Sequence, residues 1–434
     1  MRLRTSPLMM ETALVAALIL NCGVAATDDR PLSAPQSTLQ LPALLRQAMD
    51  RNPEIRAAQR AIDAKRARIP QSSAWPDPKV SISYGGNVVP PFTLMRGDPS
   101  SARQILAEQE IPYPGKTRLR AEVATREAEA EVQGYESVRR RVATEVKEAY
   151  FELYFTDRSL SILRQNRDVL AAFEKAAEIR YSVGKAAQQD VLKAQVEISK
   201  LGERQAVLEQ ARKTLEAQLN SLRNLPVDAP LGTPGEVQPT ALIYSLAELL
   251  EAAPKNFPGL KRQRTMIEEN RLAVDLAKRE IRPNFSVGYV YMQRDAQPDM
   301  YGITLSTTLP IFRRKKQDQA VAEAAANLES ARRMEESDLA VLRYRVKQEY
   351  LETQAASDLL TLYSKGIVPQ SSLAMESSIS SYQAGSIDFL SVLSNFTTLL
   401  EYNLAYQEQV ANHEKALARL EELTALELLH GGDL

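Results

Sequence analysis

The sequence carries one motif twice, and that duplication constrains the fold more than any other feature. Leu44-Leu45 leads through Asn52-Pro53-Glu54-Ile55, and Leu249-Leu250 leads through Phe257-Pro258-Gly259-Leu260, a displacement of 205 positions from 53 to 258. At the same displacement Pro78 to Tyr84 lies over Pro283 to Tyr289 without a gap. Ile105, Ala107, Gln109, Ile111 and Pro112 then match Ile303, Leu305, Thr307, Leu309 and Pro310. Val146 to Tyr150 matches Val346 to Tyr350, and Tyr181-Ser182-Val183-Gly184 matches Tyr382-Gln383-Ala384-Gly385. Each half reads as helix, strand, strand, long helix, turn, helix.

The strands follow from period-two alternation: Val80, Ile82 and Tyr84 are separated by Ser81 and Ser83, and Phe285, Val287, Tyr289 and Tyr291 repeat the pattern. Turn-rich linkers, Pro90-Pro91 with Gly97-Asp98-Pro99 and the stretch Asp295 to Asp299, join each pair into a hairpin. The helices follow from spacing. Val142, Val146, Ala149, Leu153, Leu160, Leu163, Leu170 and Ala177 form a narrow apolar seam of coiled-coil type, and Leu201, Leu208, Leu215 and Leu222 repeat every seven on the returning helix. No proline interrupts the stretch from Pro114 to Tyr181, whose length as a helix is on the order of 100 Å at ~1.5 Å per residue. In the second half Pro369 removes one helix hydrogen bond, and a bend is expected there.

Composition narrows the function classes. A formal net charge of −1 argues against a nucleic-acid partner, which calls for a basic face. One Cys and two His leave almost no soft metal ligands, so no cofactor or metal site is expected. His413 and His430 have no Cys, Ser or acid at a catalytic spacing, no glycine-rich phosphate loop is present, and the pairs Glu145 with Glu148 and Glu335 with Glu336 read as solvated helix faces; the chain is not expected to be an enzyme.

At the N-terminus Arg2 and Arg4 precede an apolar run from Thr12 to Leu20 and small residues around Cys22 to Ala26, the pattern of a secretory signal. Cleavage after Ala26 and lipidation of Cys22 are both compatible with it. No other stretch is apolar enough for a membrane helix, so membrane insertion would require a β-barrel. Four strands cannot close one, because the smallest transmembrane barrels have about eight; three chains would supply twelve. The competing reading is a small soluble sheet on a helical stalk.

The order of elements, the duplicated half, the signal and the words Tyr181-x-x-Gly184 and Asp190-Val191-Leu192-Lys193-Ala194-Gln195 resemble the TolC-like outer membrane efflux family. Trp75-Pro76-Asp77-Pro78 and Ile111-Pro112-Tyr113-Pro114-Gly115-Lys116 are similar to its heavy-metal efflux branch. The resemblance covers about 41–426 and implies a mainly α fold with a small β part: a homotrimer whose twelve-stranded barrel stands in outer-membrane lipid on a long periplasmic α-helical barrel. It implies partnership with a periplasmic adaptor (membrane fusion) protein and an inner-membrane efflux pump. The expected organisation is a signal peptide 1–26, a first repeat 41–225 with strands about 79–89 and 102–111, a linker or equatorial segment 226–246, a second repeat 247–427 with strands about 284–293 and 301–309, and a tail 428–434.

For a duct the sites are a constriction and a docking surface. Gly184 and Gly385 suit the positive φ of tight helix reversals and mark the periplasmic tips. The resemblance implies an acidic ring near the second tip, but its positions here carry Ser391 and Ser394; Asp388, one turn earlier, is the nearest carboxylate, with an ordinary helix-start role as the alternative. Tyr181, Gly184, Asp190 and Tyr382 are the candidates for adaptor docking or hairpin packing. The expected function is a passive exit duct for small solutes, metal ions or drugs. A duct for type I protein secretion and a structural periplasmic coiled-coil protein are the alternatives.

Overall fold

Asn52 shows how the first half begins. Its side chain accepts the amide N–H groups of Glu54 at 2.8 Å and Ile55 at 3.2 Å, and Pro53 fills a first-turn position where an N–H would have no partner, so one helix stops and another starts within two residues. The computed structural model describes residues 38–86, 93–94, 98, 101–295 and 297–429. The signal segment with Cys22, the linker residues Pro90, Pro91, Gly97 and Pro99, and His430 lie outside them.

The first half runs α1 (Leu41–Arg51), α2 (Pro53–Ser73), β1 (Lys79–Gly85), β2 (Ala102–Ile111), α3 (Lys116–Ser182) and α4 (Gln188–Leu222). The second runs α5 (Leu246–Asn256), α6 (Pro258–Glu280), β3 (Phe285–Arg294), β4 (Met300–Thr307), α7 (Gln317–Leu362), α8 (Val368–Gln383) and α9 (Phe389–Thr424). Helix α5 begins and ends 205 positions after α1, so the repeat read from the sequence is a structural repeat. Ser245 starts α5 with a reciprocal cap: its hydroxyl accepts from the Glu248 amide, and the Glu248 carboxylate accepts from the Ser245 amide.

Helix α3 has 67 residues, and α7, a π-helical turn at Tyr363–Ile367 and α8 have 46, 5 and 16, so the two arms are equally long. The π turn ends at Ile367, two residues before Pro369. Proline offers no N–H and its ring crowds the carbonyl four residues back; widening the preceding turn relieves both.

The seam is the core. Val142, Val146, Leu153, Leu163, Leu170 and Ala177 are all buried. The upper part of the seam packs with α1, α5, α7 and α9, and the lower part with Met375, Phe389, Val392, Phe396 and Leu400 of the second hairpin. On α4 only Leu201 of the heptad leucines is buried, while Leu208, Leu215 and Leu222 are half-covered, because α4 leans on α3 and barely touches α9.

The four strands form one antiparallel sheet in the order β1-β2-β3-β4. Two ends differ from expectation. The ladder of β1 closes at Gly85 opposite Ala102, and residues 87–89 lie outside the described set. Strand β4 stops at Thr307, not 309, because its partner β3 begins at Phe285 and Pro310 follows. Among the described residues no helix is long and apolar enough to cross a membrane.

Candidate functional site

Register sorts the sheet into two unlike faces. Val80, Ala107, Tyr289 and Ile303 stand in one row, and Ile82, Ile105, Tyr291 and Tyr301 in another row of the same face. The opposite face is mixed: Lys79, Glu108, Gly288 and Thr304, then Ser81, Leu106, Val290 and Gly302, then Ser83, Gln104, Met292 and Met300. The apolar face is uncovered: Ile82, Ile303 and Leu305 are each 77% exposed. Its tyrosines cluster, with the ring of Tyr301 5.3 Å from Tyr291 and 6.3 Å from Tyr289. Water does not tolerate a patch of this kind without a partner, whereas apolar-out, polar-in alternation is what a strand needs between lipid and a lumen.

Where β2 turns into α3, Gly115 takes φ +91° and Lys116 is buried. The Lys116 ammonium donates to the Arg282 carbonyl and to Asn284 Oδ1, both at 2.7 Å, and pairs with Glu280 at 3.0 Å. Asn284 completes the joint by accepting the Tyr113 amide and donating to Glu110. The burial of Lys116 was not anticipated; the only signal was a lysine after a Pro-Gly pair at a strand end.

At the far end of the helices both tips close alike. Gly184 (φ +72°) donates to the Tyr181 carbonyl and Lys185 to that of Arg180; Gly385 (φ +77°) donates to Tyr382 and Ser386 to Ser381. These are paired reversals of the Schellman type, which require the left-handed conformation at the glycine. The two tyrosines part company. Tyr382 is half-buried, 5.9 Å from the Phe389 ring, with the Arg180 guanidinium 4.3 Å above its own ring. Tyr181 is exposed.

Asp388 is the N-cap of α9: its Oδ1 accepts from the Ser391 amide at 3.0 Å and from the Ser391 hydroxyl. Those bonds, the hydroxyl's first, hold the Asp388 carboxyl below the usual range. Ser391 and Ser394 are exposed on the same flank. Asp190 lies in the first turn of α4, its amide donating to the Ala187 carbonyl.

The helix carboxylates read as solvated faces make surface ion pairs. Glu145 accepts from Arg141, Glu148 from Arg419, Glu335 from Arg264 and Glu336 from Arg333. His413 is buried and does have an acid neighbour: its Nδ1 lies 3.0 Å from Glu414, which also accepts the amide (2.7 Å) and hydroxyl (3.0 Å) of Thr240. That group pins the segment between the two halves to α9, so its role is structural. Lys147 and Glu421, both buried, pair between α3 and α9, a link that helix periodicity alone does not reveal.

Residues 44–225 match the model of the family described as outer membrane efflux protein. That stretch, the first of the two halves, is similar to the outer membrane efflux proteins. Its fold is similar to that of CusC (15% identity, 89% of this chain and 92% of that one covered, TM-score 0.76), known from crystal structures on folding and transmembrane channel formation. It is equally similar to the outer membrane protein VceC from Vibrio cholerae (15% identity, 90% and 97% covered, TM-score 0.75). The open state of the Neisseria gonorrhoeae MtrE outer membrane channel aligns at 17% identity over 88% of each chain, TM-score 0.72. No curated protein matches by sequence. At these identities the structural likeness speaks for the fold alone.

Proposed function

We propose that this chain is the passive exit duct of a tripartite system, a homotrimer that receives small solutes from an inner-membrane pump through a periplasmic adaptor. The sheet carries the argument. It has one lipid-compatible face, one face on which Lys79, Glu108, Gln104 and Thr304 stand among apolar residues, and two open edges, β1 and β4, which lipid does not allow. Three copies joined edge to edge remove every edge and make twelve strands, within the range of closed barrels. The paired arms of α3–α4 and α7–α9 then continue the lumen as a helical tunnel.

The segment Gly385 to Ser394 forms the resting constriction, with Asp388, Ser391 and Ser394 toward the lumen, and the exposed Tyr181 with the polar tip Lys185 to Gln189 meets the adaptor. The cargo class is metal ions or drugs, metal ions being favoured by the Trp75-Pro76-Asp77-Pro78 and Pro114-Gly115-Lys116 words. Selection resides in the pump. Deleting the gene sensitises cells to what that pump exports, and a related duct docking to the same adaptor restores resistance with an unchanged substrate range. A substrate range that follows the duct would overturn this reading.

A further inference from the structure

The chain builds one joint between sheet and helices for itself and carries both halves of a second that it leaves open. In the closed joint, the segment leaving β2 packs on the segment joining α6 to β3: Arg279 lies 6.0 Å from the Tyr113 ring, and Lys116 reaches Glu280, Arg282 and Asn284. The duplication gives each half a counterpart. At the 205-position displacement Glu280, Arg282 and Asn284 stand over Trp75, Asp77 and Lys79; at a displacement of 198, Leu309-Pro310, leaving β4, stands over Ile111-Pro112, leaving β2. The counterparts cannot meet within one chain, because β1 and β4 are opposite edges of the sheet.

Both open halves are bare. Trp75 is 57% exposed, Ile311 81% and Phe312 74%. Asp77 on one side, and Arg314, Lys315 and Lys316 on the other, make no ion pair among the described residues. The closed joint is polar, centred on a buried ammonium; the open halves offer an indole against aliphatic and aromatic side chains, and one carboxylate against a basic run. Mapping the β2–β3 pairing onto the free edges sets Leu305 beside Tyr84 and Leu309 beside Val80, apolar with apolar on the lipid-facing side.

We infer that Leu309 to Lys316 of one copy docks on Trp75 to Lys79 of the next, covering Trp75 with Ile311 and Phe312 and bringing Asp77 to the basic run. The inference rests on the trimeric reading and adds to it a specific contact, an apolar joint between chains that alternates around the ring with the polar joint inside each chain.

Trp75 is the chain's one tryptophan, so its emission reports this contact directly. In the detergent-solubilised trimer, acrylamide quenching of Trp75 is expected to fall several-fold relative to the heat-dissociated chain. Phe312→Ala should raise quenching in a protein that still has three copies by native mass spectrometry. Trp75→Cys combined with Phe312→Cys should give oxidation-dependent dimer and trimer bands on denaturing gels, and neither single variant should. A three-copy assembly in which Trp75 stays fully quenchable and the cysteine pair does not cross-link overturns the inference and leaves the duct standing. Shielding of Trp75 without cross-linking, together with quenching by brominated detergent, assigns the cover to the membrane and overturns it as well. Absence of a trimer overturns both.

Discussion

Arg180 of the first hairpin lies over the ring of Tyr382 in the second, 4.3 Å from its centroid, and its Nη1 donates to the Tyr382 carbonyl at 2.8 Å. One side chain thus ties the two hairpin tips together, so an opening that separates them must break it. Arg180→Ala removes a cation–π contact of roughly 0.5–1 kcal/mol and a charge-assisted hydrogen bond. The expected result is a higher open probability in planar bilayers and faster amide exchange at Tyr382 to Phe389, with global stability nearly unchanged.

Asp388 should act through its cap. Asp388→Ala frees the Ser391 amide, and exchange at Leu390 to Ser394 should quicken. Because the folded carboxyl lies below its unfolded value, its contribution is complete above the ordinary carboxylate range and lost only as pH falls through the depressed value. Cap protection should therefore be flat between about pH 5 and 8. If Asp388 also lines the constriction, the same variant weakens block by divalent cations; unchanged conductance and block in an intact trimer would move the gate elsewhere.

The Lys147–Glu421 pair should be costly to break and cheap to replace. Glu421 also accepts the amides of Leu428 and Leu429, both at 2.8 Å, so it anchors the chain's end to α9. Lys147→Met leaves a buried carboxylate unpaired, at a cost of about 3–5 kcal/mol. Adding Glu421→Gln should recover most of that loss in denaturant unfolding followed by circular dichroism. A Lys147→Met protein as stable as the parent would contradict the account of the α3–α9 contact.

Glu422, on the neighbouring face of α9, has the opposite pH behaviour. Burial, the largest influence, pushes its carboxyl up against the bond from Thr144, and Glu148 adds like charge. A raised acid binds more protons folded than unfolded, so stability falls as pH rises from the ordinary carboxylate value through the raised one. Glu422→Gln should stabilise the protein at neutral pH and flatten that slope, as read from denaturant midpoints across pH.

Much of this architecture was legible from spacing. The Pro53–Pro258 displacement revealed the halves, Val142 to Ala177 the seam, and the alternation at Val80–Tyr84 the apolar face of the sheet, because each is a periodic demand of geometry. The rest depends on which elements meet far apart in sequence. Lys116 reads as an exposed lysine until Glu280 and Asn284 arrive beside it, and Tyr181 and Tyr382 read alike until Arg180 and Phe389 cover one of them. Residue type along the chain carries no record of such tertiary partners. His413 belongs to the same class: its neighbour Glu414 is next in sequence, but Glu414 is in turn held by Thr240, from a segment without regular structure.

The central claim is that the open β1 and β4 edges are closed by other copies of the same chain. Native mass spectrometry of the protein extracted from the outer membrane in mild detergent tests it most directly. The account predicts a single dominant species of three copies; a stable monomer or dimer whose strands remain protease-resistant in the membrane would contradict it.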